Sequence, residues 1–500
     1  MTLQRSEHLN TGKADALSPL LRERFGLLRL RPGQRQALDH ILAREHTLLV
    51  MPTGSGKSLC FQVPAVSEDG GLVLVVSPLI ALMQDQVRAL QRRGIPAAAL
   101  HSLLSDEEQA TVLRRMHAGL YRLVYVAPER LQSRAFVGAL PRAVRLLAID
   151  EAHCISQWGH DFRPAYLAIH RTWEALGRPP VLAATATATP QVQEDILAQL
   201  HLSGAVRVVT GFNRPNLFFE VVHATEEDDK LELLAEALRA ASGSGPSIVY
   251  VGTRRAAEEL ADLIGSSLKM EAAYYHAGLE ADVRQRVQNR FLQNRLQVLV
   301  ATNAFGLGVD KANVRAVIHW DIPGTLENYY QEAGRAGRDG RPARCRLIYS
   351  PQDRALQEWF IENDAPDARG LERLHTALGK SRPAPSGQQH VDEMALRRQA
   401  GLSEVKLRVG LSLLQGAGII EDQGRDGANL LFTMAANQTL DSESIMAKVE
   451  RFREHKRALL AKMIAYAESP TCRRRAILDY FGDPDSSVVT PCCDRCAASS

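Results

Sequence analysis

The sequence of 500 residues predicts an α/β protein. It divides into two tandem parallel-sheet lobes, a helical, winged-helix-like segment and a small cysteine-bearing module. Three observations predict this. Short β-rich apolar runs alternate with helical stretches twice along the chain. After Ser350 the alternation gives way to helices and a hairpin signature. Four of the seven cysteines crowd together after residue 471.

In the first lobe the apolar runs are Thr47–Met51, Leu72–Ser77, Leu123–Ala127, Leu146–Asp150 and Val181–Thr185. In the second they are Ile248–Val251, Ala273–His276, Val298–Thr302, Ala316–Trp320 and Cys345–Tyr349. Runs this apolar, without strict alternation, suit strands buried on both faces, as in a parallel sheet flanked by helices. The divide falls near Gly204–Pro215. This gives a tail over 1–20, a first lobe over 21–205 and a second over 206–350.

Residues 351–379 read as a helical extension. Lys380 to Gln389, with two prolines, two serines and a glycine, reads as a linker. Within 380–440, Asp392–Gln399 forms one helix. Ser403 caps the next, whose Leu407, Leu411 and Leu414 share a face. Gly418 ends it, and Ile419–Glu421 and Leu430–Phe432 flank a turn carrying Gly424 and Gly427. This is winged-helix grammar. Residues 441–500 hold more helix and then the cysteines.

Composition is ordinary for globular protein, 45% hydrophobic and 23% charged. No apolar run reaches the roughly 18 residues that span a membrane. Residues 1–20 carry no secretory signal. The expectation is a monomeric cytoplasmic protein, nucleoid-associated in a bacterium. The net charge of +3 is too small to argue for nucleic acid. The basic stretch Lys448, Arg451, Arg453, Lys456, Arg457, Lys462 and Arg473 to Arg475 reads first as a solvated helix face.

Three motifs carry chemistry. Met51-Pro-Thr-Gly-Ser-Gly-Lys-Ser58 follows a strand and opens a helix, the context of a phosphate-binding loop. Pro52, Thr53, Gly54, Ser55 and Gly56 form the cradle. Lys57 reaches the β- and γ-phosphates and Ser58 holds Mg²⁺. Met51 stands where the strict pattern has a first glycine. Next, Asp150-Glu-Ala-His153 ends an apolar strand, where carboxylates face a ligand crevice. Asp150 would bind Mg²⁺ and Glu151 would polarise an attacking water. Third, Gln331-Glu-Ala-Gly-Arg335-Ala-Gly-Arg338-Asp-Gly340 offers cations from the second lobe to neutralise a transferring phosphoryl group. Arg335 and Arg338 would share a helical face, and a basic turn facing nucleic acid is the alternative.

With these stretches in place, the chain resembles the RecQ family of DNA helicases, in helicase superfamily 2. The resemblance rests also on Arg31-Pro-Gly-Gln34, Ser77 to Gln86, Tyr125 to Leu131, Asp150 to Pro164, Ala183 to Thr187, Tyr275 to Leu279 and Ala301 to Lys311. They run in the family's order over roughly 20–350. The resemblance implies two RecA-like lobes and ATP as fuel. It implies adenine contact by Gln34, with Gly306, Gly308 and Asp310 at the interlobe cleft. Thr185 and Thr187 would link ATP state to DNA. DNA contacts are implied at Ser77, His276 and Thr302, and in the loop bearing Trp158, His160, Phe162 and Arg163, where aromatics can stack on bases.

Cys472, Cys492, Cys493 and Cys496 suit a tetrahedral structural zinc, as in the family's module. The adjacent Cys492 and Cys493 depart from the commoner spacing. The implied activity is ATP-dependent 3′→5′ unwinding of DNA, with single strand and duplex or fork as partners. An ATP-driven translocase or remodelling protein with little net unwinding would carry the same motifs. The 380–440 segment could grip duplex through Arg397, Arg398, Lys406 and Arg408, or serve as a scaffold.

Overall fold

The computed structural model describes residues 17–498, except 68–70, 132, 142, 157, 160, 162, 307–310, 382–387, 427–428, 436–439 and 485. The first sheet holds β1 (Thr47–Val50), β2 (Leu72–Val76), β3 (Ala97–Leu100), β4 (Leu123–Val126), β5 (Val144–Asp150), β6 (Val181–Thr185) and β7 (Val206–Val209). Its order is β3-β4-β2-β5-β6-β1-β7, parallel throughout. Successive residues of β1 feed opposite faces: Leu48 and Val50 join one apolar core and Leu49 the other. Helices cover both faces, so the strands need no polar side.

The second sheet holds β8 (Leu217–His223), β9 (Ser247–Tyr250), β10 (Ala272–Tyr275), β11 (Val298–Ala301), β12 (Ala316–His319) and β13 (Ala343–Tyr349). Its order is β10-β11-β9-β12-β13-β8, again parallel. Arg346 on β13 is buried and pairs with Glu220 on β8 at 2.9 Å, which settles a charge that could not be buried alone.

Two boundaries differ from the sequence reading. β7 lies beyond residue 205 yet pairs with β1, from Thr47 opposite Val206 to Val50 opposite Val209. The first lobe therefore runs to Val209. β7 is an edge strand with one buried side chain, Val208, so its apolar signal is faint. Likewise, the helix Ala368–Gly379, expected in a separate extension, contributes Leu371, Leu374 and Leu378 to the core of the following unit.

That unit has winged-helix architecture. Helices Ala368–Gly379, Glu393–Ala400 and Glu404–Gly416 pack with an antiparallel sheet of β14 (Gln389–Asp392), β16 (Asn429–Met434) and β15 (Ile420–Asp426), in that order. Asp392 and Ser403 cap the second and third helices by accepting from the amides of Ala395 and Lys406. Leu407, Leu414 and Phe432 are fully buried. Gly424, expected in the turn, lies within β15 where its register with β16 shifts. Gly427 and most of the expected linker lie outside the described residues.

The helix Ser442–Glu468 then returns along the second lobe. Lys456 pairs with Asp364 and Arg457 with Glu362, tying it to the end of the helix Asp353–Asn363. Helices Arg473–Tyr480 and Asp494–Ala498 complete the chain. Among the described residues, no helix is long and apolar enough to cross a membrane.

Phe432 fills the centre of the winged-helix core. Phe432→Ala should destabilise that unit by about 3–5 kcal/mol, transfer loss plus cavity. Hydrogen exchange would show faster opening across 389–434 with β1 and β2 unchanged. Unchanged exchange in 389–434 would refute the assigned core.

Candidate nucleotide site at the lobe interface

The phosphate-loop residues leave the C-terminal end of β1 and enter the helix Leu59–Val66. Gly54 and Gly56 take φ of 74° and 83°, a region costly for residues with a Cβ. These kinks turn the loop around on itself. The Lys57 ammonium donates to the carbonyls of Met51, at 3.0 Å, and Pro52, at 3.4 Å. Burial lowers the Lys57 pKa, while Glu151 and Asp150 oppose that shift. Gln34 closes the loop's outer side: its amide donates to Ser55 O at 3.0 Å and Gly56 O at 3.1 Å. Arg31 donates to Gly54 O at 2.9 Å.

Asp150 ends β5, two strands from β1 and at the same end of the sheet. Its carboxylate accepts from Ser77 Oγ at 3.4 Å and from the Glu151 amide at 3.1 Å. Burial, reinforced by Glu151 and partly opposed by Lys57, pushes the Asp150 pKa up to about 7. Glu151 adopts a left-handed conformation, φ 49°. Such strain in a non-glycine residue concentrates at functional sites. Glu151 Oε2 lies 3.4 Å from His153 Nδ1 and accepts no hydrogen bond from the described residues. His153 Nδ1 also meets Thr185 Oγ1 at 2.9 Å, and Thr185 Oγ1 accepts from the Thr187 amide at 3.3 Å. The expected threonine link is therefore in direct contact with the carboxylate motif.

The second lobe completes the site. Gln331 lies buried on the helix Leu326–Ala333, which ends before both arginines. Residues 334–339 form successive turns, with φ 57° at Gly337. The two arginines consequently do not share a helical face, as their spacing had suggested. Arg338 lies against the phosphate loop: a Cβ on Gly54 would stand 3.0 Å from Arg338 Cγ. Arg335 turns inward, its guanidinium against Gly306 and hydrogen-bonded to Tyr250. Thr53 Oγ1 donates across the interface to Gly334 O at 3.2 Å.

The expected DNA contacts divide. Trp158 is 47% exposed, so it is not core. Its ring meets His455 of the long helix edge-on at 5.3 Å, and its carbonyl lies 3.3 Å from His455 Nε2. Arg163 pairs with Asp161 at 2.9 Å. Ser77, His276 and Thr302 are buried: Ser77 faces Asp150, His276 Nε2 lies 2.9 Å from Glu258, and Thr302 Oγ1 accepts from the Ala304 amide. Ser77 thus packs on the carboxylate motif. His160, Phe162, Gly308 and Asp310 lie outside the described residues. Beside Gly159 and Asp161, a cleft of about 500 Å³ runs between the second sheet's C-terminal edge, at Gly252 and Asn303, Asn328 of the helix Leu326–Ala333, and His455 and Lys456 of the long helix.

Beside the start of the second lobe, where Cys493 bridges to Phe219 of β8, the four clustered cysteines converge. Sγ separations are 3.5 Å (Cys472–Cys492), 3.8 Å (Cys472–Cys493), 3.8 Å (Cys492–Cys496) and 3.4 Å (Cys493–Cys496). Metal–thiolate bonds of about 2.3 Å in a tetrahedron give edges of about 3.8 Å. The donor set therefore fits a four-thiolate metal site. Sequence reasoning missed Arg214 and His455, each an ordinary surface-type residue whose contact partners lie far away in the chain. It read Arg474, with Arg473, as part of a solvated helix face, whereas both are buried against backbone carbonyls and side chains that satisfy them.

Three domain patterns match: DEAD/DEAH box helicase over residues 31–196, helicase conserved C-terminal domain over 229–340, and RecQ zinc-binding over 431–497. The chain is 38% identical over 488 residues to the probable ATP-dependent DNA helicase RecS of Bacillus subtilis, covering 96% of this chain and 92% of that protein. It is 46% identical over 358 residues to the ATP-dependent DNA helicase RecQ of Bacillus subtilis, covering 71% of this chain and 60% of RecQ. It also resembles the RecQ of Haemophilus influenzae, at 42% identity over 72% of this chain and 58% of that protein. Among solved structures, the DUF1998 helicase MrfA bound to DNA shares the fold, with TM-score 0.58, 19% identity and coverage of 86% and 63%.

Asp150 gives a pH test. An unfolded Asp ionises near about 3.9. The folded carboxyl holds its proton to about pH 7. Between those values the native chain binds more protons, so this group's contribution to stability falls as pH rises. Asp150→Asn should therefore raise Tm at pH 8 without Mg²⁺-nucleotide, and change it much less at pH 5. Equal shifts at both pH values would contradict the buried-carboxyl reading.

Proposed function

The chain belongs to the RecQ family of ATP-dependent DNA helicases, and on that premise we propose that it unwinds duplex DNA in the 3′→5′ direction by hydrolysing ATP between its two lobes. The observation that carries this reading is the meeting of Arg338 with Gly54: a cation of one lobe stands beside the phosphate loop of the other. A site completed only when two lobes touch couples hydrolysis to their relative motion. Lys57 and Arg338 would neutralise charge on the transferring phosphoryl group. Ser58 and Asp150 would hold Mg²⁺. Glu151, with an oxygen that accepts no hydrogen bond from the described residues, would orient the attacking water. Arg335, packed on Tyr250 and Gly306, would shape the loop that carries Arg338.

DNA contact would fall on Trp158 and on the neighbouring cleft, because an exposed indole offers a stacking surface indifferent to sequence. From Gly159, whose position tolerates no Cβ because His153 O would stand 2.5 Å away, the loop packs directly on the carboxylate motif. DNA occupancy could then be felt at Glu151. The four cysteines would hold one Zn²⁺, supplying a structural crosslink.

Strand displacement on 3′-tailed and 5′-tailed duplexes tests the function. We expect ATP-dependent unwinding of the 3′-tailed substrate alone, abolished by Glu151→Gln. DNA-stimulated hydrolysis without strand separation would move the function to translocation or remodelling. Trp158→Ala should lower DNA-stimulated ATPase by about 10-fold, in line with loss of about one stacked base, while sparing basal hydrolysis. An unchanged stimulation would remove Trp158 from the DNA path.

A further inference from the structure

The lobes are joined by residues 210–216, and one side chain of this linker touches both halves of the nucleotide site. Arg214 Nη1 donates to Thr53 O of the phosphate loop at 3.4 Å and to Gly334 O of the arginine turn at 3.3 Å. Its Nη2 donates to Ala336 O at 3.0 Å and Gly337 O at 3.1 Å. A planar guanidinium is the one side chain with enough fixed donors for four carbonyls at once. Arg338 follows Gly337 directly, so the turn that Arg214 grips carries the cation beside Gly54. Asn216, two residues on, donates to Gly337 O at 2.8 Å and Arg341 O at 2.9 Å.

The linker is held in turn from the cysteine module. Arg474, buried two residues after Cys472, donates to Asn213 Oδ1 at 3.0 Å, to the carbonyl of Arg214 itself at 2.5 Å and to Leu217 O. Its guanidinium also lies over the Phe219 ring at 5.4 Å. Asp483 accepts from the Phe212 amide at 2.7 Å, and Ser487 O accepts from Asn213. Backbone from Phe212 to Leu217 is thereby fixed by a module remote in sequence.

We propose that Arg214 is a positioning residue for hydrolysis, and that Arg474 ties its position to the cysteine module, so that the module's integrity is read at the nucleotide site. Arg214 does not touch the reacting atoms; it acts through the placement of Arg338. The inference rests on the reading of Arg338 as the cation that completes the site. It adds a path: cysteine module, linker backbone, Arg214, arginine turn. A misplacement of about 1 Å in a catalytic group can cost about 100-fold in rate, so a tether one residue away has large leverage.

The test is a kinetic cycle on the full chain. Arg214→Ala should lower kcat of DNA-stimulated ATPase by about 30- to 100-fold with KM for ATP within about 3-fold, because binding groups stay while the cation shifts. Arg214→Lys should recover little, since one ammonium cannot span four carbonyls. Arg474→Gln should lower kcat in the same direction, with zinc content unchanged by metal analysis. In an Arg338→Ala background, Arg214→Ala and Arg474→Gln should have almost no further effect, because residues acting through one group are non-additive.

An unchanged kcat in Arg214→Ala, or losses that multiply fully with Arg338→Ala, would overturn the proposal while leaving the helicase reading intact. Loss of activity in Arg474→Gln only in proportion to lost zinc would overturn its second half. If Arg338→Ala itself hydrolyses ATP at the wild-type rate, the underlying assignment of that turn falls instead. Should Arg214→Ala fail to fold, as judged by zinc content and nucleotide binding, the charge-retaining Arg214→Lys takes its place in the cycle. A lowered kcat that vanishes in the Arg338→Ala background would then support the proposal, and an unchanged kcat would overturn it.

Discussion

The aliphatic stem of Arg338 comes so close to Gly54 that a Cβ there would stand 3.0 Å from its Cγ, and the backbone takes a φ that glycine adopts cheaply. Much else is arranged around this approach of two loops. The phosphate loop leaves the C-terminal end of β1, whereas the arginine turn follows the helix Leu326–Ala333 and leads into the start of β13, its Gly337 amide donating to Val314 O just before β12, so the first sheet's C-terminal end must meet the other sheet's N-terminal end. Thr53 and Gly334 share a hydrogen bond across the gap. A site divided this way cannot be complete within either lobe, which is what makes it useful in a motor: the chemistry reports whether the lobes are together.

Charge burial shapes the first half of that site. Asp150, Glu151 and Lys57 lie close at the sheet's edge, and desolvation moves Asp150 and Lys57 toward their neutral forms. A divalent cation and a polyphosphate are the ligands that would restore the charged forms. The protein accepts an unfavourable arrangement of its own groups and is thereby preorganised for a highly charged ligand. His153 and Thr185 continue the network away from the carboxylates, toward the segment that follows β6.

The C-terminal half works as a brace. The long helix Ser442–Glu468 meets the aromatic loop of the first lobe at His455 and the second lobe at Tyr466, whose ring lies 5.2 Å from Tyr329. Arg473 is wholly buried and would be prohibitive without partners. Asp494 and the carbonyls of Tyr466 and Ala467 satisfy it, joining the long helix to the cysteine module. The winged-helix unit is inserted between two helices that ion pairs hold together, so its placement is tied to the motor rather than left on a free linker.

Much of this was legible in the sequence for a simple reason. A strand buried on both faces must be continuously apolar, a phosphate loop must be rich in glycine, and a metal site must gather thiols. Those are local demands, and Val181–Thr185, Gly54–Ser58 and Cys492–Cys496 meet them locally. Edge strand β7 escaped because only Val208 is buried, and the helix Ala368–Gly379, read as helix, was assigned to a separate extension because its partners Leu396, Leu407 and Phe432 lie well beyond it in the chain. Local residue pattern was enough for the two lobes, the phosphate loop and the four thiols. It took the folded chain to bring Arg338 rather than Arg335 against the phosphate loop, to turn Ser77 to Asp150, and to set Arg214 and Arg474 on the linker. Those choices depend on which backbone carbonyls and side chains arrive beside each guanidinium or hydroxyl, and residue type does not encode that arrival.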